Sequence, residues 1–210
     1  MNPIFQPALN ILEPAARQTL SAAHSQRFQP LVQQLLTIFS AEGIIPAMTE
    51  EEIRQVVYLS RFHDIGKQCI PGSVLQKCGK LTLQEKAILQ SHPVQGVRLL
   101  RSIPSLRQHP AFGMVCDICL HHHERWDGGG YPDGLAAEHI TPYVHVVSLA
   151  DAYDALRTER PYKRALSHED AMAMLMDGQC GAFSPDMLEC FHALAGENCT
   201  PLYWEAARVG

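Results

Sequence analysis

Histidine and aspartate residues form small groups at several points along this sequence. The groups are the adjacent pair His63 and Asp64, the single His92, the run His121 to His123, and the pair Asp151 and Asp154. Imidazole and carboxylate ligands without an obligatory thiolate suit iron and manganese as well as zinc. More such ligands than one tetrahedral ion needs indicate two ions, and a two-metal centre is suited to in-line hydrolysis of a phosphate ester. The sequence therefore predicts a metal-dependent phosphohydrolase.

Some of these groups also have a plainer structural interpretation. A lone His-Asp pair at a helix end is about as often a hydrogen-bonded terminus as a ligand pair. Asp154 is compatible with an aspartate that caps a neighbouring helix, whereas Asp151 is less so, because a carboxylate among small apolar residues is costly to bury unless it is paired or bound to metal. Cys116 and Cys119 form a C-x-x-C motif without a second one, so we interpret them as thiols rather than as half a zinc site.

The composition limits the partners. The 210 residues carry a net charge of -5, which argues against binding to DNA or RNA polymers. Four cations, Arg157, Arg160, Lys163 and Arg164, stand against Glu159 in one short segment and could hold an anionic substrate. The seven cysteines are typical of reduced thiols, and we find no signal peptide and no apolar run long enough for membrane insertion. We therefore predict a cytoplasmic protein.

Helical patterns must position these groups. Apolar residues recur at helical spacing over 31–39, and two capping boxes, Thr49 with Glu52 and Thr82 with Glu85, each precede an apolar run. Further helices are predicted over 112–123, near 143–157, over 168–177 after Ser167, and from Ser184 with Pro185 in the first turn. Residues 143–149 are ambiguous, because Val144 and Val146 alternate as in a strand. The fold class is predicted to be all-α.

A glycine-rich segment separates two of these helices. Residues 127–134 read Asp-Gly-Gly-Gly-Tyr-Pro-Asp-Gly, a composition too rich in turn formers for a helix. Long ordered loops in compact domains are usually functional. Tyr131 lies inside this loop and the histidine run directly precedes it, so we favour a functional loop over a flexible connector.

These residues also resemble a known family. From about His24 to Phe191 the sequence closely resembles the HD-GYP family, a subgroup of the HD superfamily of metal-dependent phosphohydrolases. The matching strings are His63-Asp64-Ile65-Gly66-Lys67, Gly79-Lys80-Leu81-Thr82, His92-Pro93, His122-His123-Glu124-Arg125-Trp126-Asp127-Gly128-Gly129-Gly130-Tyr131-Pro132, Asp151-Ala152-Tyr153-Asp154 and Arg160-Pro161-Tyr162-Lys163. The resemblance implies an HD-domain helical bundle with a long glycine-rich GYP loop.

The resemblance further implies hydrolysis of cyclic di-GMP, a bacterial second messenger, to linear pGpG and in many members onward to GMP. The implied metal ligands are His24, His63, Asp64, His92, His122, His123 and Asp151, with Asp64 bridging two ions. The nucleophile would be a hydroxide that bridges the metals, so that Asp64, Lys67 and Asp151 serve catalysis. Substrate contacts are implied for Lys67, Tyr131, Asp154, Arg160 and Lys163. His121 is an extra histidine, for which we expect a surface or supporting role.

One departure from the family pattern bears on the metal count. Members with three metals place a glutamate where this sequence has Leu20, which cannot ligate. We therefore predict two divalent ions, iron or manganese. We divide the chain into a short lead-in, 1–20, and a phosphodiesterase domain, 21–210. The lead-in is too short for a regulatory domain, so we expect a homodimer or a signalling partner acting in trans, unless the chain is a fragment.

Two other functions are compatible with the sequence. The residues named above do not fix both bases, so another cyclic dinucleotide such as 3′,3′-cyclic GMP-AMP could be the substrate. A catalytically weak cyclic di-GMP sensor is the third hypothesis. The complete ligand set argues against the sensor, because a binding module would be free to lose ligands.

Overall fold

The computed structural model describes residues 22–159 and 164–196. Within these ranges it forms helices and no β-strand, which confirms the predicted all-α class; a single bridge joins Asp127 and Ala136. The α-helices are α1 (Ala22–Ala41), α2 (Glu50–Ser60), α3 (Gly72–Leu75), α4 (Leu83–Gln90), α5 (His92–Arg101), α6 (Pro104–Arg107), α7 (Phe112–His121), α8 (Pro142–Arg157), α9 (His168–Met176) and α10 (Pro185–Gly196). Two short 3₁₀ helices span Ile65–Cys69 and Ala137–His139. No described helix is both long and apolar enough to cross a membrane.

The predicted helix starts are confirmed by their caps. At α2 the Thr49 side chain accepts a hydrogen bond from the Glu52 N–H, and the Glu52 carboxylate accepts one from the Thr49 N–H. Thr82 and Glu85 make the same reciprocal pair at α4. The Ser167 hydroxyl accepts from the N–H of Asp170 at α9. These side chains satisfy backbone donors that a helix start leaves without partners.

The ambiguous segment 143–149 is helical, as part of α8. Every residue from Val144 to Ala150 is buried. A helix that is buried on all sides carries apolar residues on all sides, so its sequence loses the helical period. The apparent alternation of Val144 and Val146 reflects this complete burial.

The helix packing brings distant parts of the sequence together. Helix α1 packs against α2 and α8, and α5 packs against α7 and against the 3₁₀ helix Ile65–Cys69. The last contact is very close, because a Cβ atom on Gly66 would lie 1.9 Å from the carbonyl oxygen of His92. Only glycine therefore permits this approach, which sets the residues just before Gly66 beside the start of α5.

The sequence had not revealed the short elements around the site. The 3₁₀ helix Ile65–Cys69 follows directly after Asp64, and α5 begins at His92 with Pro93 in its first turn. Helix α4 ends at Gln90, so α5 is a separate helix. The proposed lead-in, 1–20, lies outside the described residues, so the division into lead-in and domain stays a prediction.

Candidate metal centre

The seven predicted ligands lie on five separate stretches of chain that meet in the core. His24 is on α1, His63 and Asp64 follow α2, His92 opens α5, His122 and His123 follow α7, and Asp151 lies within α8. The structure brings them into two groups, in each of which the ligand atoms lie within 4.8 Å of one another. One group holds Asp64, His92, His122 and His123, and the other holds His24, His63 and Asp151.

Asp64 lies where the two groups meet. Its Oδ1 is 3.2 Å from Nε2 of His92 and 3.7 Å from Nε2 of His122. Its Oδ2 faces the other group, at 3.4 Å from Nε2 of His63. The His63 Nε2 is in turn 3.7 Å from Oδ1 of Asp151. The two oxygens of one carboxylate thus point towards two different ligand groups, which is the arrangement that a bridging ligand needs.

Backbone carbonyls orient the imidazole rings. Nδ1 of His63 lies 2.7 Å from the Ser60 carbonyl oxygen, and Nδ1 of His92 lies 2.8 Å from that of Leu89. Nδ1 of His122 is 3.0 Å from the carbonyl oxygen of Cys119. An Nδ1–H that donates to a carbonyl leaves Nε2 as the ligating atom, and metal-bound histidines are typically held in this way.

The electrostatics of the cluster suit cations. Burial disfavours the charge on Asp64, but the Lys67 ammonium and His63 hold the pKa of this carboxyl well below its usual range. Burial also opposes charge on His63, yet the nearby Asp64 and Asp151 carboxylates raise its pKa above the ordinary value. Burial lowers the pKa of His122 to about 4, so this ring is neutral at pH 7 and able to ligate. The cluster therefore combines a neutral donor, His122, with a carboxylate that stays ionised, Asp64.

Two buried polar atoms at the centre support a metal site directly. Nε2 of His63 and Oδ1 of Asp64 are buried and make no hydrogen bond of good geometry. A buried polar atom without a partner is unfavourable by roughly 1–3 kcal/mol. Divalent cations bound at these atoms would remove that penalty, and nitrogen and oxygen donors suit iron and manganese. The donor set therefore fits metal ions.

Lys67 and Tyr131, both predicted to meet the substrate, lie at the border of the cluster. The Lys67 ammonium donates to Oδ2 of Asp64, and its side chain is 34% exposed. The Tyr131 ring stacks on the ring of His123, with centroids 4.8 Å apart and planes at 24°. Both side chains can therefore reach a ligand that lies against the metal groups.

Asp154, predicted to bind substrate, is buried next to His24. It is only 2% exposed, and both of its oxygens are engaged. Its Oδ2 is 2.7 Å from Nδ1 of His24, and its Oδ1 accepts a hydrogen bond from Nε of Arg27 at 2.9 Å. These contacts orient His24, and the substrate contact stays a prediction.

Three further predictions fall outside the described residues. Arg160 and Lys163, expected to contact the substrate, and Leu20, on which the prediction of two rather than three metals depends, are not described by the structure. Their roles stay predictions.

Sequence reasoning missed Glu124 and Arg27. Glu124 is fully buried and accepts three backbone hydrogen bonds from the glycine-rich loop. Its position between the histidine run and the loop was the available signal, although no spacing rule assigns a role to such a residue. Arg27 pairs with Asp154 across more than a hundred residues, for which the sequence has no local signal.

Cys116 and Cys119 belong to neither ligand group found among the described residues. Sγ of Cys119 lies 3.8 Å from the carbonyl oxygen of Pro93, at the contact between α5 and α7. Burial raises the pKa of both thiols, to about 11 for Cys116. Both are therefore protonated near neutral pH, and Cys119 packs the helix interface.

Comparison with known proteins gives a family match over most of the chain. A family model described as "HD domain" matches residues 17–185. This range includes all seven predicted ligands.

Several curated proteins are similar in sequence. The cyclic di-GMP phosphodiesterase response regulator RpfG of Xanthomonas campestris is 42% identical over 147 residues, which cover 70% of this chain and 37% of that protein. A cyclic di-GMP phosphodiesterase of Vibrio cholerae is 36% identical over 181 residues, or 85% of this chain and 37% of the relative. From the same organism, 3′3′-cGAMP-specific phosphodiesterase 2 is 35% identical over 86% of this chain and 32% of its own length. The chain thus spans about a third to two fifths of these relatives.

A solved structure shares the fold. A cyclic GMP-AMP specific phosphodiesterase of V. cholerae superposes with a TM-score of 0.58 at 18% identity, covering 91% of this chain and 49% of the other. At this level of identity the likeness concerns the arrangement of helices.

Proposed function

This chain belongs to the HD-domain family, as its HD-GYP motifs predicted, and we propose that it is a metal-dependent phosphodiesterase that hydrolyses cyclic di-GMP to linear pGpG. The observation that carries the proposal is the division of the seven imidazole and carboxylate residues into two groups with Asp64 between them. The names of two of the similar proteins, both cyclic di-GMP phosphodiesterases, support the choice of substrate.

We assign one divalent ion, iron or manganese, to each group. His24, His63 and Asp151 would hold one ion, and His92, His122 and His123 the other, with Asp64 shared between them. When bound, the pair of ions lowers the pKa of a water molecule towards neutrality and offsets negative charge on the phosphate. The Asp151 carboxylate, like that of Asp64, keeps the centre from accumulating the full charge of the two cations.

Residues at the rim would hold the substrate. The Lys67 ammonium, which now contacts Asp64, is close enough to the cluster to pair with a phosphate oxygen or to assist the leaving oxygen. Tyr131 offers a ring for stacking on a guanine and a hydroxyl for a hydrogen bond. Arg160 and Lys163 lie in a short cationic segment of an acidic chain, and we assign them to the second phosphate or a guanine. We take residues 21–210 as the phosphodiesterase domain.

The proposal is tested by metal content and turnover together. Protein purified without oxygen should contain about two iron or manganese ions per chain, and chromatography should show conversion of cyclic di-GMP to pGpG. Asp151→Ala should lose one ion and lower turnover by at least about 100-fold, because that ion would keep only two of its own ligands besides Asp64.

The control is Asp177→Asn, an exposed aspartate directly after α9, which should behave as wild type. Retained turnover in Asp151→Ala would refute the two-metal mechanism. Faster hydrolysis of 3′,3′-cyclic GMP-AMP than of cyclic di-GMP would change the substrate assignment. Tight binding of cyclic di-GMP without turnover by the fully metallated wild type would instead identify a sensor.

A further inference from the structure

The glycine-rich loop is tied to a buried carboxylate that the proposed chemistry leaves unused. Glu124 is 0% exposed. Its Oε1 accepts hydrogen bonds from the N–H groups of Asp133 at 2.8 Å and Gly134 at 3.1 Å, and its Oε2 accepts one from Leu135 at 2.9 Å. A buried carboxylate is strongly unfavourable unless it is paired or hydrogen-bonded, and three N–H donors supply that stabilisation. The N–H groups of the loop therefore stabilise the buried Glu124 carboxylate, and this carboxylate in turn fixes the backbone of the loop.

The loop also folds back on the end of α7. The Tyr131 N–H donates to the carbonyl oxygen of His123 at 3.3 Å. A Cβ atom on Gly130 would lie 2.5 Å from the backbone nitrogen of Arg125 and 2.6 Å from the same His123 oxygen, so the backbones touch there. Tyr131 thus stands between two fixed points, the close contact at Gly130 and the Glu124 hydrogen bonds that begin at Asp133.

His121 makes a second contact to the same turn. The ring of His121 lies between two carboxylates, with Nδ1 at 2.7 Å from Oδ1 of Asp117 and Nε2 at 3.0 Å from Oδ2 of Asp133. Asp117 is itself fixed, because its Oδ2 accepts a hydrogen bond from the Tyr143 hydroxyl at 2.7 Å. His121 thereby links α7 to the loop and to α8.

We propose that Glu124, assisted by His121, is the positioning residue that holds Tyr131 against the metal centre by clamping the N–H groups of residues 133–135. The inference rests on the proposed function, in which Tyr131 meets the substrate. The stack of Tyr131 on His123 sets the ring next to a predicted metal ligand. If the turn at 133–135 loosens, the ring loses its fixed place while the ligands, which lie on other elements, keep theirs.

Glu124→Gln is the decisive variant. An amide offers one acceptor oxygen and places an NH₂ group against an N–H donor, so the three hydrogen bonds cannot all persist. We expect amide hydrogen exchange at 133–135 to become at least about 10-fold faster, with metal content unchanged. We also expect KM for cyclic di-GMP to rise about 10-fold, with kcat changed much less, because a stacking contact is weakened. Glu138→Gln, an exposed glutamate just after the loop, is the matched control and should match wild type.

Coupling to Tyr131 separates positioning from a general structural role. In a Tyr131→Ala background, Glu124→Gln should still accelerate exchange at 133–135 but should raise KM no further. A KM increase that adds to that of Tyr131→Ala would overturn the inference, as would unchanged exchange at 133–135 in Glu124→Gln.

His121→Gln and hydrogen exchange cover the two cases in which Glu124→Gln alone would not answer the question. If Glu124→Gln does not fold, His121→Gln replaces it, since His121 lies nearer the surface, and the same two measurements decide. If the metallated wild type hydrolyses no cyclic dinucleotide, the proposed function fails, and hydrogen exchange alone then decides whether Glu124 clamps the loop.

Discussion

Asp64 shows at the residue scale how one side chain can organise a site. It is 6% exposed, and its two oxygens face different imidazole groups. Such burial is tolerable for a carboxylate only because cationic and donor groups surround it. Asp154 has the supporting role, since its Oδ2 lies 2.7 Å from Nδ1 of His24.

Asp154→Asn should weaken metal binding without removing a ligand. The amide cannot accept from both His24 and Arg27 as the carboxylate does, so the ring of His24 loses its fixed orientation. Loss of such a supporting partner typically lowers metal affinity about 10- to 100-fold. Titration of the metal-free protein with Mn²⁺ would measure this, and one of the two sites should be affected. If both sites of Asp154→Asn bound Mn²⁺ with the same affinities as the corresponding sites of the wild type, the role of Asp154 would be contradicted.

At the scale of elements, the site depends on how closely helices approach. The contact between the 3₁₀ helix Ile65–Cys69 and α5 places Asp64 beside His92, and it exists because Gly66 has no side chain. Gly96 on α5 faces the same contact, where a Cβ would lie 2.4 Å from Sγ of Cys119. Gly66 and Gly96 thus allow the 3₁₀ helix Ile65–Cys69, α5 and α7 to pack closely together next to the cluster.

Gly66→Ala should therefore damage both stability and the site. Overpacking a tight contact typically destabilises by about 1–3 kcal/mol, and here the methyl group meets backbone, which cannot rotate away. We expect a lower free energy of unfolding in urea and weaker metal binding, since Asp64 and His92 move apart.

Gly113→Ala is the control for this substitution. Gly113 lies in α7, and a Cβ there has nothing within 4 Å. Gly113 is in the first turn of this helix, and alanine is the better helix former by up to about 1 kcal/mol. The control should be as stable as wild type or more so, and a similar loss in both variants would show that the close contact at Gly66 is not the cause.

At the scale of the whole molecule, buried histidines make stability depend on pH. His145 on α8 is 1% exposed and stacks between Trp126 and Phe183. Burial lowers its pKa to about 4, whereas the unfolded chain has the ordinary value near 6.5. The unfolded state therefore binds more protons between these values, and stability is lost as the pH falls from about 6.5 to 4.

His145→Phe should flatten this dependence. Phenylalanine keeps the aromatic stack and cannot take up a proton. Between pH 7 and pH 4 we expect the wild type to lose about 2–3 kcal/mol more of its free energy of unfolding than the variant does. Denaturant unfolding of metal-free protein at several pH values would measure the difference, and parallel pH profiles would show that His145 does not titrate as its burial requires.

The sequence predicted the local features of this molecule well. Thr49, Thr82 and Ser167 cap the helices that they were expected to open, because capping acts within one turn of chain. The candidate ligand residues could also be named, because their types are unusual and their motifs resemble a family, and the structure brings them together in two groups. The segment 143–149 stayed ambiguous, since complete burial removes the period that distinguishes a helix. The contacts of Asp154 could not be predicted, because its partners, His24 and Arg27, lie on α1, far from it in sequence.

The helical class, and the presence of imidazoles and carboxylates suited to two metal ions, could be predicted from residue types and local patterns. The division of these residues into two groups, the place of Asp64 between them and the hydrogen bonds from the loop of Tyr131 to Glu124 are visible only in the folded chain. Residue type and helix formation are encoded within a few neighbouring positions. The grouping of ligands instead depends on the packing of five distant stretches of chain, which close contacts such as the one at Gly66 fix in space.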